Sequence, residues 1–265
     1  MKFQLLPSTF EENGAASPRQ HLTCFVVDDC VAFDAGSLAM ATSLGQKEKI
    51  RDVVVTHAHL DHIAGLPLFV DDLFATLTRP VRIYATQEVI DVLEHDVFNW
   101  SVYPRFSELI NDNGPVMEYV PFRNCTPFQV RHLTVKAVEV NHKVPSSGFI
   151  ISEGGTSVAL SGDTAEMDLF WEGVNQARNV AAVLLECAFP DELQELANIS
   201  HHLTPSRVSA ELAKCEVDCP VYIVNIKPMY RDQVIRQLAH LKIERLEILQ
   251  VGRVYDWQVG RVYDW

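Results

Sequence analysis

Short apolar runs set off by polar breaks open the chain. LTCFVVDD (22–29) and CVAFDAG (30–36) are two such runs, interrupted at Asp28 and Asp29, and they predict a pair of strands joined as a hairpin. RDVVVT (51–56) predicts a buried strand that stops where a cluster of histidines begins. Past the cluster the period changes: Leu66, Phe69, Val70, Leu73, Phe74 and Leu77 fall on one face of a helix, with Pro67 in its first turn, where proline is tolerated. VRIYAT (81–86) predicts another strand and QEVIDVLEHDVF (87–98) another helix. An irregular stretch follows, about 96–115, carrying Trp100, Tyr103, Pro104, Gly114 and Pro115.

Strand patterns return in LTVKAVEV (133–140), SGFIIS (147–152) and TSVALSGD (156–163), the last two separated by the turn Glu153-Gly154-Gly155. The final third alternates. NVAAVLLEC (179–187) reads as strand, and TPSRVSAELAKC (204–215) as helix with Thr204 as N-cap and Pro205 at the first helical position. PVYIVNI (220–226) is a strand, a helix lies near 229–240, and LEILQV (246–251) is the last strand. Strand runs followed by strand–helix alternation predict an α/β protein of layered sheets with outer helices. No linker rich in proline, glycine or serine divides the chain, so the expectation is one domain over residues 1–257. QVGRVYDW at 250–257 recurs letter for letter at 258–265. One identical copy of eight residues is too little for a repeat architecture and reads as an assembly scar beyond the end of the fold.

The chain has 265 residues, 48% of them hydrophobic and 22% charged, the balance of a globular protein able to bury a sizeable core. Its formal charge of −13 repels polyanions and argues against sequence-independent nucleic-acid binding. A small anionic substrate stays open, because a metal inverts the local field. No stretch approaches the ~20 apolar residues of a membrane span, and MKFQLLPSTFEENG lacks the apolar core of a secretion signal. The six cysteines form no CxxC pair and read as reduced, buried thiols, so the expected compartment is the cytoplasm.

Candidate chemistry concentrates in HAHLDH (57–62). Three of the chain's ten histidines, His57, His59 and His62, stand within six positions around Asp61, on a loop between a strand's end and a helix. That is where α/β folds place their chemistry. Imidazole nitrogen and carboxylate oxygen at this density suit zinc or a neighbouring transition metal. Alternate residues of an extended loop point the same way, so His57 and His59 could share one ion while Asp61 and His62 face another. Four ligands do not complete two sites. Three downstream residues, each in a loop after a strand, are candidates for the rest: His142 after LTVKAVEV, Asp163 ending TSVALSGD, and His202 in SHHLTP, with His201 beside it as a competing choice.

With Asp34 in FDAG, the HAHLDH run, His142, Asp163 and His202 in this order, the chain resembles the metallo-β-lactamase superfamily of binuclear metallohydrolases. The resemblance implies an αββα sandwich, a single domain of two mixed sheets flanked by helices. It implies two divalent metal ions at one edge of the sheets, zinc in the first place, manganese or iron otherwise. It further implies that His57, His59 and His142 hold the first ion, that Asp61, His62 and His202 hold the second, and that Asp163 bridges them. Asp34 would stand behind the ligands rather than among them. Within the superfamily the strings THAHLDHIAGL, SGDT, LLECAFP and SHHLTP look most like the class II cyclic-nucleotide phosphodiesterases. That family usually has glycine where this chain has His201, which favours His202 as the ligand.

The activity so implied is hydrolysis of a 3′,5′-cyclic nucleotide (cAMP or cGMP) to its 5′-monophosphate. Two ions about 3.5–4 Å apart can share a hydroxide for in-line attack and neutralise charge developing on the phosphoryl group. Asp61 and Asp163 would fix the ions, and His201 or a water on a metal would protonate the leaving 3′ oxygen. The helix from Pro205 would turn its positive end towards an anionic substrate. A ribonuclease Z-like nuclease is the alternative, alongside phosphodiesterases of other small diesters; such nucleases usually add a basic, glycine-rich arm, and this sequence shows none. A β-lactamase of the common type would carry cysteine where Asp163 stands. A non-catalytic metal-binding module sits poorly with a full set of seven ligands. His21, His95, His132 and His240 read as surface or satisfied core groups. Phe98, Trp100, Tyr103 and Phe106 read as packing or as a stacking platform for a base, and Lys143 and Ser146 as groups within reach of a phosphate.

Overall fold

The computed structural model describes residues 1–258 and 261–263. Two compact units make up the chain, each with its own sheet and core. One is Met1–Arg123 with Val251–Asp256 and the strand Arg261–Tyr263; the other is Asn124–Gln250 with Trp257 and Gln258.

The first unit is built on a mixed eight-stranded sheet. Phe25–Val27 and Val31–Phe33 pair as the expected hairpin. Asp28 and Asp29 at its tip have left-handed backbone (φ 48° and 56°), which a short polar side chain tolerates. From Val31–Phe33 onward the neighbours run parallel: Asp52–Val54, Val81–Ala85 and Met117–Pro121. On the other side Lys2–Leu5, which the sequence pattern did not mark, pairs with Phe25–Val27 and with Val254–Asp256. Four residues with only Lys2 exposed are too few to display a period. Val254–Asp256 belongs to the first copy of the octapeptide, and Arg261–Tyr263 of the second copy pairs beside it as the sheet's last strand. Residues 259, 260, 264 and 265 of the repeat lie outside the described residues.

Helix Leu66–Leu73 buries Leu66, Phe69, Val70 and Leu73, the apolar face read from the sequence, and ends just before Phe74. Gln87–Val92 continues as a π-helical turn, Leu93–Val97. The aromatic stretch after it divides. Phe98 and Phe106 are buried with ring centroids 5.9 Å apart, whereas Trp100 is 57% exposed.

The second unit has a mixed seven-stranded sheet. Pro127–Val130, Leu133–Glu139, Ser147–Glu153 and Thr156–Leu160 are antiparallel in turn, and Val180–Glu186, Val221–Val224 and Leu246–Ile248 run parallel to the last of these. Five strands therefore finish at one sheet edge: Leu133–Glu139, Thr156–Leu160, Val180–Glu186, Val221–Val224 and Leu246–Ile248. Carboxyl ends of strands are where open α/β sheets gather ligands. Helix Asp168–Gln176, also unmarked by the sequence pattern, buries Phe170, Trp171 and Val174, and the Trp171 indole N–H donates to Glu211 Oε2 at 2.7 Å. Pro205–Leu212 begins as expected with Thr204 at the N-cap, although the threonine side chain makes no capping bond.

Cys24, Cys30, Cys187 and Cys219 are buried, but Cys125 is exposed and Cys215 half-buried, so the expectation of six buried thiols needs correcting at two positions. Neither lies in a sheet core: Cys125 is in a turn and Cys215 follows a helix end. Among the described residues no helix is long and apolar enough to cross a membrane.

Candidate metal centre

In the first unit the chain leaves strand Asp52–Val54 and reaches His57 and His59 on a loop. Asp61 and His62 are not on that loop, as expected, but on a single helical turn, Leu60–Ile63. His59 is the N-cap, still extended (ψ 146°), and the chain turns directly after it. His57 Nε2 and His59 Nδ1 come within 3.1 Å of each other, two ring nitrogens converging on one place.

Asp34 organises this loop. Its Oδ2 accepts from His62 Nδ1 at 2.6 Å, and the carboxylate also accepts from the Thr56 backbone N–H at 2.8 Å and the Thr56 hydroxyl at 2.9 Å. The Thr56 oxygen in turn lies 2.9 Å from His57 Nδ1 and accepts its proton. The neighbouring backbone ties the loop down as well: Ala35 N–H donates to the His62 carbonyl at 2.6 Å and Thr23 N–H to the Asp61 carbonyl at 2.7 Å. Gly36 is required by this packing, because a Cβ there would fall on the Asp61 carbonyl oxygen and within 2.8 Å of Thr23 backbone atoms. Gly36→Ala is expected to cost about 1–3 kcal/mol in chemical unfolding, as overpacking does, and to weaken metal uptake by shifting Asp61 and His62.

In the second unit His142, Asp163 and His202 each bring a ligand atom to within 4.8 Å of the others. Four strand ends deliver them or their partners. His142 follows Leu133–Glu139, and its Nδ1 donates to the His201 carbonyl at 3.0 Å. Asp163, buried, follows Thr156–Leu160, and its Oδ1 accepts from Asn225 Nδ2 at 2.6 Å. His202 Nδ1 donates to Glu186 Oε1 at 2.7 Å. His201 takes the left-handed backbone (φ 56°) that ends helix Gln194–Ser200, and its Nδ1 donates to Asn141 Oδ1 at 2.9 Å.

Glu186 is the hub of this half. Fully buried at the end of Val180–Glu186, it accepts through Oε1 from Thr164 N–H (2.9 Å) and His202, and through Oε2 from Ala188 N–H (3.0 Å) and Leu203 N–H (3.3 Å). Burial pushes its carboxyl above the usual range, with His202 opposing that shift. Burial alone would lower His202, but the charge of Glu186 and its hydrogen bond outweigh it and the imidazole is held above its ordinary value.

One regularity spans both halves. His57, His62, His142 and His202 each place Nδ1 against an oxygen, which assigns the proton to Nδ1 and makes Nε2 the lone-pair nitrogen. That is the tautomer of a neutral imidazole ligand oriented by an oxygen partner. Within each unit an aspartate accompanies the histidines, Asp61 on the helical turn of the first and Asp163 with His142 and His202 in the second, and imidazole with carboxylate fits a divalent transition metal. Glu186 and Asn225 escaped the sequence reading. Each is a polar residue closing an apolar run, VAAVLLE and VYIVN, and that placement was the available signal. Asn225→Ala is expected to lower metal affinity or activity about 10–100-fold, the range for partners that orient ligands, as a metal titration would measure. His21, His95, His132 and His240 are exposed, as is Lys143, and Ser146 is buried with its hydroxyl on the Val144 carbonyl.

Residues 26–223 match the model of the β-lactamase superfamily domain, about three quarters of the chain. The chain belongs to the metallo-β-lactamase superfamily. A probable 3′,5′-cyclic-nucleotide phosphodiesterase of Yersinia pestis is 29% identical over 227 residues, covering 75% of this chain and 64% of that superfamily relative, so the chain spans less than two thirds of its length. The chloroplastic tRNase Z TRZ2 of Arabidopsis thaliana is 28% identical over 137 residues, 49% of this chain and 34% of that protein. Among solved structures, unliganded yeast PDE1 has a TM-score of 0.76 at 16% identity, covering 96% of this chain and 98% of that one, a likeness of fold. The expected α/β metallo-β-lactamase fold, with two mixed sheets and helices, is the fold of this chain.

Proposed function

We propose that this chain is a binuclear metal-dependent phosphodiesterase that hydrolyses 3′,5′-cyclic nucleotides, cAMP or cGMP, to 5′-monophosphates in the cytoplasm. The observation that carries the hydrolase reading is the gathering of His142, Asp163 and His202 within 4.8 Å, both imidazoles with Nδ1 engaged on oxygen. Similarity to a relative named as a cyclic-nucleotide phosphodiesterase supports the substrate class. In this account His57, His59 and His142 hold one ion, Asp61, His62 and His202 the other, and Asp163 serves both. Zinc is the first candidate, with manganese or iron as alternatives.

Divalent ions so held supply Lewis acidity towards the phosphoryl group. The protein's part is to place and to balance charge. Asp61 and Asp163 offset the positive charge the ions bring, and Asn225 fixes the rotamer of Asp163. Asp34 and Glu186 orient His62 and His202, so the ligands need no reorganisation when substrate arrives. His201, its ring oriented through Nδ1 on Asn141, would as the imidazolium give its Nε2 proton to the 3′ oxygen as that oxygen's bond to phosphorus breaks, leaving a neutral imidazole. Oxygen from water joins phosphorus, and the product is the 5′-monophosphate.

A second reading, a ribonuclease Z-like nuclease, draws support from the similarity to TRZ2. The charge of −13 opposes it, because gripping a polyanion requires a basic surface. The two are tested side by side with zinc- or manganese-loaded protein on cAMP, cGMP, a precursor tRNA and bis(p-nitrophenyl) phosphate. Turnover of a cyclic nucleotide with 5′-monophosphate as product is the expected result. Cleavage of the precursor tRNA alone would hand the assignment to the second reading.

A further inference from the structure

The second unit carries a cavity of about 370 Å³ at the strand ends opposite His142 and Asp163. Lys136 and Ser157, which line it, stand six residues before His142 and Asp163 along their strands, roughly 20 Å of extended chain. Its origin is the length of helix Asp168–Gln176. Gly173 seats that helix on the sheet, its would-be Cβ lying 3.4 Å from Val138 Cγ2 and 3.7 Å from Ile150 Cγ1. The helix ends at Gln176, and past its end the cavity is lined by Gln176, Ala177 and Arg178, with Gly155 from a strand turn.

Strand register decides what the exposed floor presents. One rung reads Pro127, Lys136, Ile150; the next places Thr134 opposite Ser152 and Ser152 opposite Ser157. Thr134 accepts from Gln129 Nε2 at 2.9 Å and keeps its own proton to donate, and the Ser152–Ser157 hydroxyl pair, 2.9 Å apart, has one proton more than it uses. Lys136 and Arg178 contribute two cations, and among the described residues no acidic side chain lines the cavity. Among the described residues neither cation is in an ion pair. In a chain of formal charge −13 this is a local reversal of sign. Lys136 is half-buried, and a bound anion would give it a counter-charge inside the cavity.

We propose that this cavity binds a small organic phosphomonoester, separate from the histidine centre. Its dianionic phosphate lies against Lys136, Thr134 and the serine pair, with Arg178 at the rim, and its organic part lies over Pro127, Ile150 and Ala177. Phosphate suits the set because its terminal oxygens accept from several donors at once. The volume falls in the range of small-ligand pockets.

The test is calorimetric titration of the full-length, metal-loaded protein with adenosine 5′-monophosphate, inorganic phosphate and adenosine, repeated with a chelator present. A phosphomonoester could also occupy the metal centre, and the chelator separates the two places. Mononucleotide binding should persist with chelator, exceed that of phosphate or adenosine about tenfold, and weaken about tenfold in Lys136→Met. Arg178→Gln, at an exposed position whose loss leaves the core intact, should weaken it several-fold. Binding abolished by the chelator, or unchanged in both variants, would remove the site. Phosphate binding as tightly as the mononucleotide would overturn the phosphomonoester assignment, and so would adenosine binding as tightly.

Discussion

Asp163→Ala is expected to lower diester hydrolysis on the order of 10³-fold or more while the protein stays folded. The side chain is buried at the edge where five strands end, and its Oδ1 is held by Asn225. It lies in the loop after Thr156–Leu160 and contributes no apolar packing, so its removal leaves both cores untouched. What goes is negative charge at a place where His142 and His202 gather, and with it the group proposed to serve both ions. Losing one donor aimed at developing charge already costs 10²–10³ in typical enzymes, so a shared metal ligand should cost no less. Asp163→Asn separates charge from hydrogen bonding, since its amide oxygen can still accept from Asn225. It should be nearly as inactive as the alanine variant. Steady-state rates on bis(p-nitrophenyl) phosphate, with circular dichroism to verify folding, provide the check; an active asparagine variant would show that charge at this position is dispensable.

Glu186→Ala should instead strike stability. Four N–H groups lose their acceptor at once: Thr164, Ala188, Leu203 and the imidazole of His202. Removing one partner of a buried, hydrogen-bonded pair costs about 3–5 kcal/mol, because the other groups stay buried without compensation. In a chain of this size that lowers the melting temperature on the order of 10 °C. Glu186→Gln should not rescue it. Each carboxylate oxygen accepts from two donors, and an amide must turn its NH₂ towards one of those pairs. Thermal unfolding of both variants measures this. A glutamine variant as stable as the parent would mean that shape, not the acceptor pair, holds the His202 loop.

How much of this was legible in the sequence depends on length and distance. The hairpin at Asp28-Asp29, the strands feeding the histidine loop and the helix of Leu66, Phe69, Val70 and Leu73 were readable because their patterns are local. Lys2–Leu5 was not, since a four-residue strand between partners 20 and 250 residues away has no local signature. Helix Asp168–Gln176 is nine residues long with Gly173 in its apolar face, which blurs the period. Among candidate site residues the HAHLDH cluster announced itself by density. His142, Asp163 and His202 were found only because that cluster needed partners and each stands in a loop after a strand; a lone histidine or aspartate in a loop is otherwise ordinary. Glu186 and Asn225 were hidden by the opposite effect: one polar residue at the end of an apolar run looks like the run's boundary, and only the sheet shows that those boundaries share an edge.

The central claim is a two-metal centre that hydrolyses cyclic nucleotides, and a metal titration tests it most directly. Metal-stripped protein is titrated with zinc or manganese while bound metal and cAMP and cGMP turnover are followed together. The account predicts turnover that rises to a plateau at two equivalents per chain and stays on the order of 10³-fold lower or more in Asp163→Ala at any loading. A plateau at one equivalent would contradict the two-metal centre, and full loading without turnover of either nucleotide would contradict the cyclic-nucleotide phosphodiesterase.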